Sequence, residues 1–192
     1  MNYPLMETPF ESPSFCEMNK KQAEQYFQWF IQDRENRIAV LQTHIKETGG
    51  NVQLDKSVES LLPLWEWFED QMEWEERDEA DIKQELEGQP EWMHPYILDH
   101  TMEPTILTKA IAVDIADYFG DTFIAHNPTI SWGYLTRPKA LDGVNQPILV
   151  GFRNKAVVNP RTLIRVCLTK DRREKNKKRL KELYDIWTEY IS

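Results

Sequence analysis

The chain has 192 residues, of which 41% are hydrophobic and only seven are glycine, so it is neither a collagen-like polymer nor a low-complexity disordered segment. Its two cysteines cannot build a disulfide framework, and its longest apolar runs are far shorter than the ~20 residues that cross a bilayer. The start of the chain does not have the pattern of an export signal. We therefore expect a cytoplasmic protein that does not bind membranes.

Charge is unevenly distributed along the chain, whose formal net charge is −9. Residues 66–91 carry twelve acids and two bases, whereas residues 170–181 carry eight bases. The two segments either pair with each other within the fold or face different partners, and the sequence leaves both alternatives open.

The N-terminal part predicts an arm followed by a long helix. Residues 1–18 contain three prolines among small and polar residues, which predicts a flexible N-terminal arm. From Asn19, which can form a capping box with Gln22, apolar residues recur at steps of three and four, and Gly49 and Gly50 supply the stop. This pattern is typical of an amphipathic helix.

A second helix and a strongly acidic stretch follow. Ser57 or Ser60 can cap the helix, and an apolar stripe continues to Met72. Residues 66–91 have little apolar surface apart from Trp74, so we expect a solvated helix end or a mobile loop there.

The middle of the chain predicts a connector and a second long helix. Pro90 and Pro95 punctuate the connector. After Pro104 the apolar spacing is helical as far as about His126, and Gly120 inside this helix indicates close helix packing.

The remaining residues predict strands and a closing helix. Alternation over residues 130–134 and an apolar run over residues 148–152 predict two strands, and residues 136–146 predict the loop that connects them. A third strand is expected at 156–158 or at 163–168, and a final helix from about residue 171.

These elements predict an α+β fold, rich in helices, with a small antiparallel sheet in the C-terminal half. Residues 19–192 are interpreted as one domain. The sequence contains no nucleophile elbow, phosphate-binding glycine loop or zinc-ligand spacing, so we expect no cofactor and no enzymatic activity.

Three aspartates form the one candidate metal or catalytic cluster. Asp114, Asp117 and Asp121 fall on one face of the long central helix. Their carboxylates could hold a divalent metal in a metal-dependent hydrolase. The favoured interpretation is that Asp114 is half buried and that Asp117 and Asp121 lie on the solvated face.

Tryptophans beside the acidic stretch form the favoured candidate site. Aromatic side chains anchor protein interfaces, and acidic fields steer cationic proteins towards them. The sequence therefore predicts a surface that binds a basic protein, and the alternative is that these aromatics cover the core from a second side. The predicted partner-binding residues are Trp67, Glu73, Trp74, Glu75, Glu76, Glu79 and Trp92.

The basic run over residues 170–181 suggests a further alternative, the binding of nucleic acid through phosphate contacts. The net charge of −9 disfavours it, because the whole protein repels polyanions at long range.

The order of features over residues 114–166 resembles small soluble bacterial proteins of unknown function, some of which are similar to immunity proteins of toxin systems. The resemblance rests on Tyr118-Phe119-Gly120-Asp121, Trp132-Gly133-Tyr134, the run from Asn145 to Phe152, and Asn159-Pro160. It implies an α+β fold, disfavours an enzyme and carries over no catalytic residues. We expect a protein-binding module, with inhibition of a basic partner such as a toxin domain through the acidic, Trp-rich residues 65–92 as its role.

Overall fold

The long first helix begins where its capping box predicts. The structure, a computed structural model, describes residues 3–139 and 143–191, so the predicted loop at 136–146 lies partly outside the described residues. Helix α1 spans Lys20–Glu47, and the Asn19 side chain accepts hydrogen bonds from the backbone of Lys21 and Gln22. Its apolar face is buried, which confirms the amphipathic pattern.

Helix α2, Leu61–Gln71, is buried on more sides than the sequence predicts. Leu64, Trp65 and Phe68 face the core as expected. Trp67 is also buried, and its Nε1 donates a 3.0 Å hydrogen bond to the Thr48 hydroxyl. The prediction that Trp67 belongs to a partner-binding surface is therefore wrong.

The acidic stretch forms short regular elements instead of a loop. Strand β1 (Trp74–Glu76) pairs antiparallel with β2 (Met102–Pro104), so that Glu75 lies opposite Glu103. Helices α3 (Glu79–Gly88) and α4 (His94–Asp99) lie between the two strands in sequence, where a connector was expected around Pro90 and Pro95. Helix α3 buries no side chain, so it is solvated as predicted.

Helix α5, Ile106–His126, is the central element of the core. Every residue from Asp114 to Phe123 is buried, so this helix is enclosed all round. Its bounds match the prediction. At Gly120 the neighbour is the indole of Trp132, so the close packing inferred from this glycine is against a strand residue.

Strand β3 (Ser131–Gly133) pairs antiparallel with β4 (Ile148–Val150), as the alternating patterns predict. Val158 forms a single antiparallel bridge to Leu149, which places the third extended segment at 156–158. The alternative strand at 163–168 is wrong, because these residues belong to a helix.

That helix is α6, Pro160–Arg173, and it begins where the Asn159 side chain accepts hydrogen bonds from two backbone amides. A separate helix α7, Arg179–Thr188, follows it, so the single closing helix expected from about Asp171 is replaced by two. Asp171 lies in α6, where it is buried and bonded to Arg179 and to the indole N–H of Trp65. The predicted apolar stripe of α7 is confirmed, with Leu180 and Tyr184 buried.

The N-terminal arm has no helix or strand over residues 3–18, but it contacts the folded part of the chain. Tyr3 and Met18 are buried, and the amide of Asn145 donates a 2.7 Å hydrogen bond to the Phe15 carbonyl. The rings of Phe15 and Tyr26 meet edge to face. These contacts replace the expectation of a flexible arm over the described part of residues 1–18.

The fold class is therefore α+β, with seven α-helices and two small antiparallel two-stranded sheets among the described residues. Two clusters make up the core, a large one around α2, α5, α6 and α7, and a smaller one between the arm and the start of α1. Among the described residues no helix is both long and apolar enough to cross a membrane.

Replacing Gly120 with alanine tests the packing of α5. A methyl group at this position overlaps the Trp132 ring. Overpacking costs about 1–3 kcal/mol and outweighs the ~1 kcal/mol that alanine gains in helix propensity. We expect Gly120→Ala to lower the melting temperature by several degrees. The control is Gly88→Ala, because a Cβ at this position has no atom within 4 Å, and it should leave the melting temperature unchanged or raise it. Equal effects of the two variants would contradict the packing account.

Candidate functional site

The three aspartates of α5 are buried, contrary to the prediction that Asp117 and Asp121 face solvent. They do share one helix face, as the spacing predicts. Each carboxylate meets a cationic side chain from another element, so the cluster is a row of ion pairs.

Asp114 joins α5 to α1 and to the arm. The Nε and Nη2 atoms of Arg37 donate hydrogen bonds of 3.0 and 2.6 Å to its two carboxylate oxygens. The hydroxyl of Tyr3 donates to the same carboxylate. Such paired contacts from one guanidinium are the strongest ion-pair geometry in proteins.

Asp117 joins α5 to α6 in the same way. The Nε and Nη2 atoms of Arg161 lie 3.0 and 2.8 Å from its two oxygens. The Nη1 atom of Arg161 donates a 3.1 Å hydrogen bond to the Tyr26 hydroxyl in α1. This pair therefore holds three helices in contact.

Asp121 completes the row at the other end. Arg34 Nε lies 2.7 Å from one of its oxygens and Lys56 Nζ lies 3.2 Å from the other. The indole N–H of Trp132 donates a 2.9 Å hydrogen bond to it, which ties β3 to α5.

Burial and charge act in opposite directions on these groups. Burial raises the pKa of Asp114 and of Asp117, while the facing guanidinium groups act to lower it. Burial alone would lower the pKa of Arg161, but the charge and hydrogen bonds of Asp117 hold that pKa above its usual value. A buried charge is tolerated only with such a partner.

The geometry does not support the metal-dependent hydrolase at Asp114, Asp117 and Asp121. Each carboxylate is buried and lies within 2.8 Å of an arginine nitrogen, so a metal or a substrate would have to displace an ion pair to reach it. Over residues 3–139 and 143–191 there is no group of three or more His, Cys, Asp and Glu side chains placed to hold a metal ion. The cluster is structural.

The predicted acidic surface is only partly where the sequence places it. Trp67 is 7% exposed and belongs to the core. Trp74 is half-buried, and the guanidinium of Arg172 stacks over its ring at 5.7 Å. Trp92 is 70% exposed. The four predicted acids are exposed and, within the described part of the chain, make no salt bridge: Glu73, Glu75, Glu76 and Glu79.

Two further exposed apolar side chains lie close to Trp92 in the chain, and sequence reasoning missed them. Tyr96 is 63% exposed and Leu98 is 56% exposed, although both belong to helix α4. This helix buries Ile97 alone. The sequence carried no signal for this exposure, because the short helix α4 was predicted as a connector.

The acidic and basic segments pair with each other in part. Lys177 Nζ lies 2.5 Å from Glu66, and the backbone N–H of Asn176 donates a 2.9 Å hydrogen bond to Glu69. Arg173 lies 3.7 Å from Asp99. Glu66 and Glu69 thus contact the basic run, whereas the four predicted acids make no salt bridge among the described residues.

Comparisons of the chain with protein-family models, with curated proteins and with solved structures give no match. Its function is therefore argued from these sites alone.

Removal of one buried carboxylate tests the structural role of the row. Asp114→Asn leaves the buried Arg37 without its counter-charge, and breaking a buried pair costs about 3–5 kcal/mol. We expect urea unfolding to show a loss of that size. Asp185→Asn, which removes a surface pair with Lys181, is the control and should change stability by no more than about 0.5 kcal/mol. A loss below about 1 kcal/mol for Asp114→Asn would show that the pair does not hold the fold.

Proposed function

We propose that the protein is a protein-binding module that docks a basic partner on its acidic segment, defined as residues 73–99. The observation that carries the proposal is that three large apolar side chains of this acidic segment, Trp92, Tyr96 and Leu98, are exposed. The proposal assigns the protein no catalytic step.

Charge supports a basic partner. The acidic segment holds ten acids and two bases, so it accounts for nearly all of the net charge of −9. One of the two bases, Arg77, is paired with Glu85 at 2.6 Å. A concentrated field of this kind raises the association rate of cationic proteins.

The exposed apolar side chains supply binding energy that the charges alone do not. Exposed acids by themselves are ordinary solvated surface, whereas a tryptophan and a tyrosine exposed within five residues are costly to leave in water. Trp and Tyr are enriched among the residues that contribute most to binding, and acids around them select a basic partner.

The register of the β1–β2 sheet adds a further argument. Glu75 lies directly opposite Glu103, and like charges at opposed positions destabilise a strand pair. Lys109 binds Glu103 at 2.6 Å, while Glu75 is without a cation among the described residues. A lysine or arginine of the partner next to Glu75 would offset this repulsion.

Inhibition of the basic partner is the role that we favour for this module. An acidic surface that covers a cationic active site is a direct way to block it. In this proposal the buried row of ion pairs keeps the scaffold rigid, and the acidic segment is the binding element.

Photo-cross-linking tests the proposal. A photoreactive amino acid at position 92 is expected to capture one basic protein in cells, and the affinity of the purified pair is then measured. Trp92→Ala should weaken binding roughly 30-fold or more, because interface anchors contribute about 2 kcal/mol or more. The control Tyr190→Ala removes another exposed aromatic side chain, outside the acidic segment, and should leave the affinity unchanged.

Charge reversal is the second arm of that test. The triple variant with Glu75→Lys, Glu76→Lys and Glu79→Lys should lower the association rate at low salt by at least tenfold. Its control changes the net charge equally, with Glu11→Lys, Glu24→Lys and Glu189→Lys at exposed positions outside the segment. Equal association rates for the two triple variants would refute the proposal. So would a captured partner that binds Trp92→Ala as tightly as the parent protein.

A further inference from the structure

A groove lies between helix α6 and the β2–α5 corner, and its own lining contains no residue of the acidic segment. Its volume is about 480 Å³, which is within the range of small-molecule sites. Ala112, Val113 and Leu168 form its apolar part, and Lys109 and Arg165 contribute its cations. A second depression of about 390 Å³ continues from it towards Arg172.

The helical spacing of α6 places the groove's polar and apolar groups together. Arg165 is followed at three and four residues by Leu168 and Thr169, so the three side chains share one side of the helix. Leu168 is buried, whereas Arg165 and Thr169 are exposed. The groove thus offers an apolar surface beside a charged group and a hydroxyl.

Only part of the groove's positive charge is compensated. Arg161, which also lines it, is neutralised by Asp117, and Lys109 binds Glu103 at 2.6 Å. Arg165 has no carboxylate within 4.0 Å among the residues that the structure describes. This guanidinium lines both the groove and the depression next to it.

We infer that this groove binds a small organic anion with an apolar body. Its carboxylate or phosphate group is bound by Arg165, and its body packs on Ala112, Val113 and Leu168. Arginine suits this task because its planar guanidinium donates two parallel hydrogen bonds to either acid group.

The carboxylates in the groove select a small ligand over a polyanion. Glu103 lies in the rim of both depressions and Glu85 in the second. A nucleic acid or an acidic peptide following the groove would meet both acids. A small ligand with a single acid group can bind Arg165 without contacting Glu103 or Glu85.

Titration followed by methyl NMR tests the inference, with octyl phosphate and octanoate as probes. We expect either anion to shift the methyl resonances of Ala112, Val113 and Leu168 with saturation, and the tighter of the two identifies the preferred acid group. Octanol and inorganic phosphate each supply one half of the ligand and should bind at least tenfold more weakly.

Variants of the intact chain separate a site from surface adsorption. Arg165→Gln removes an exposed side chain, so the fold should be kept, and binding of the preferred probe should weaken at least tenfold. Arg153→Gln makes the same change at an exposed position outside the groove and should leave binding unchanged. The inference is overturned if neither anion shifts these methyl groups, if octanol binds as tightly as the anions, or if Arg165→Gln binds like the parent protein.

Discussion

A charged group in a protein interior needs a partner of opposite charge, and helix α5 carries three such groups on one face. Asp114, Asp117 and Asp121 are met by arginines that lie in α1 and α6. An unpaired buried charge costs several kcal/mol, so each pair restricts which part of the partner helix can lie against α5. The row therefore fixes how α1 and α6 are positioned on the central helix, and the apolar core fills the space that this arrangement defines.

The same constraint places the two candidate binding regions. The Asp117–Arg161 pair holds the start of α6 against α5, and the groove with Arg165 follows one turn further along that helix. Arg172, at the far end of α6, stacks over Trp74 and so reaches the strand pair from which the acidic segment extends. That segment buries little beyond Ile97, which leaves its acids and its apolar side chains to face solvent.

Local signals predicted α1, α2 and α5, and they missed α3, α4 and most of α6. The capping box at Asn19 and the spacing up to His126 located α1 and α5, because both depend on neighbouring residues alone. The β-branched residues of 163–168 favoured a strand over α6, although Asn159-Pro160 is a helix start. The burial of Asp114 depends on Arg37, which lies 77 positions away in the chain. The burial of Asp117 depends on Arg161, which lies 44 positions away. No periodicity in the sequence identifies such a partner. The exposure of Tyr96 and Leu98 likewise depends on tertiary contacts, because few other elements pack against α4.

A double-mutant cycle on Asp117 and Arg161 tests most directly whether paired buried charges organise this fold. The free energy of unfolding is measured by urea titration for the parent protein, Asp117→Asn, Arg161→Gln and the double variant. Coupled residues in one network show interaction energies of about 0.5–3 kcal/mol, and bidentate buried geometry predicts a value at the upper end of that range. Each single variant should therefore lose nearly as much stability as the double variant. Single losses that add to the double loss within about 0.5 kcal/mol would contradict the account.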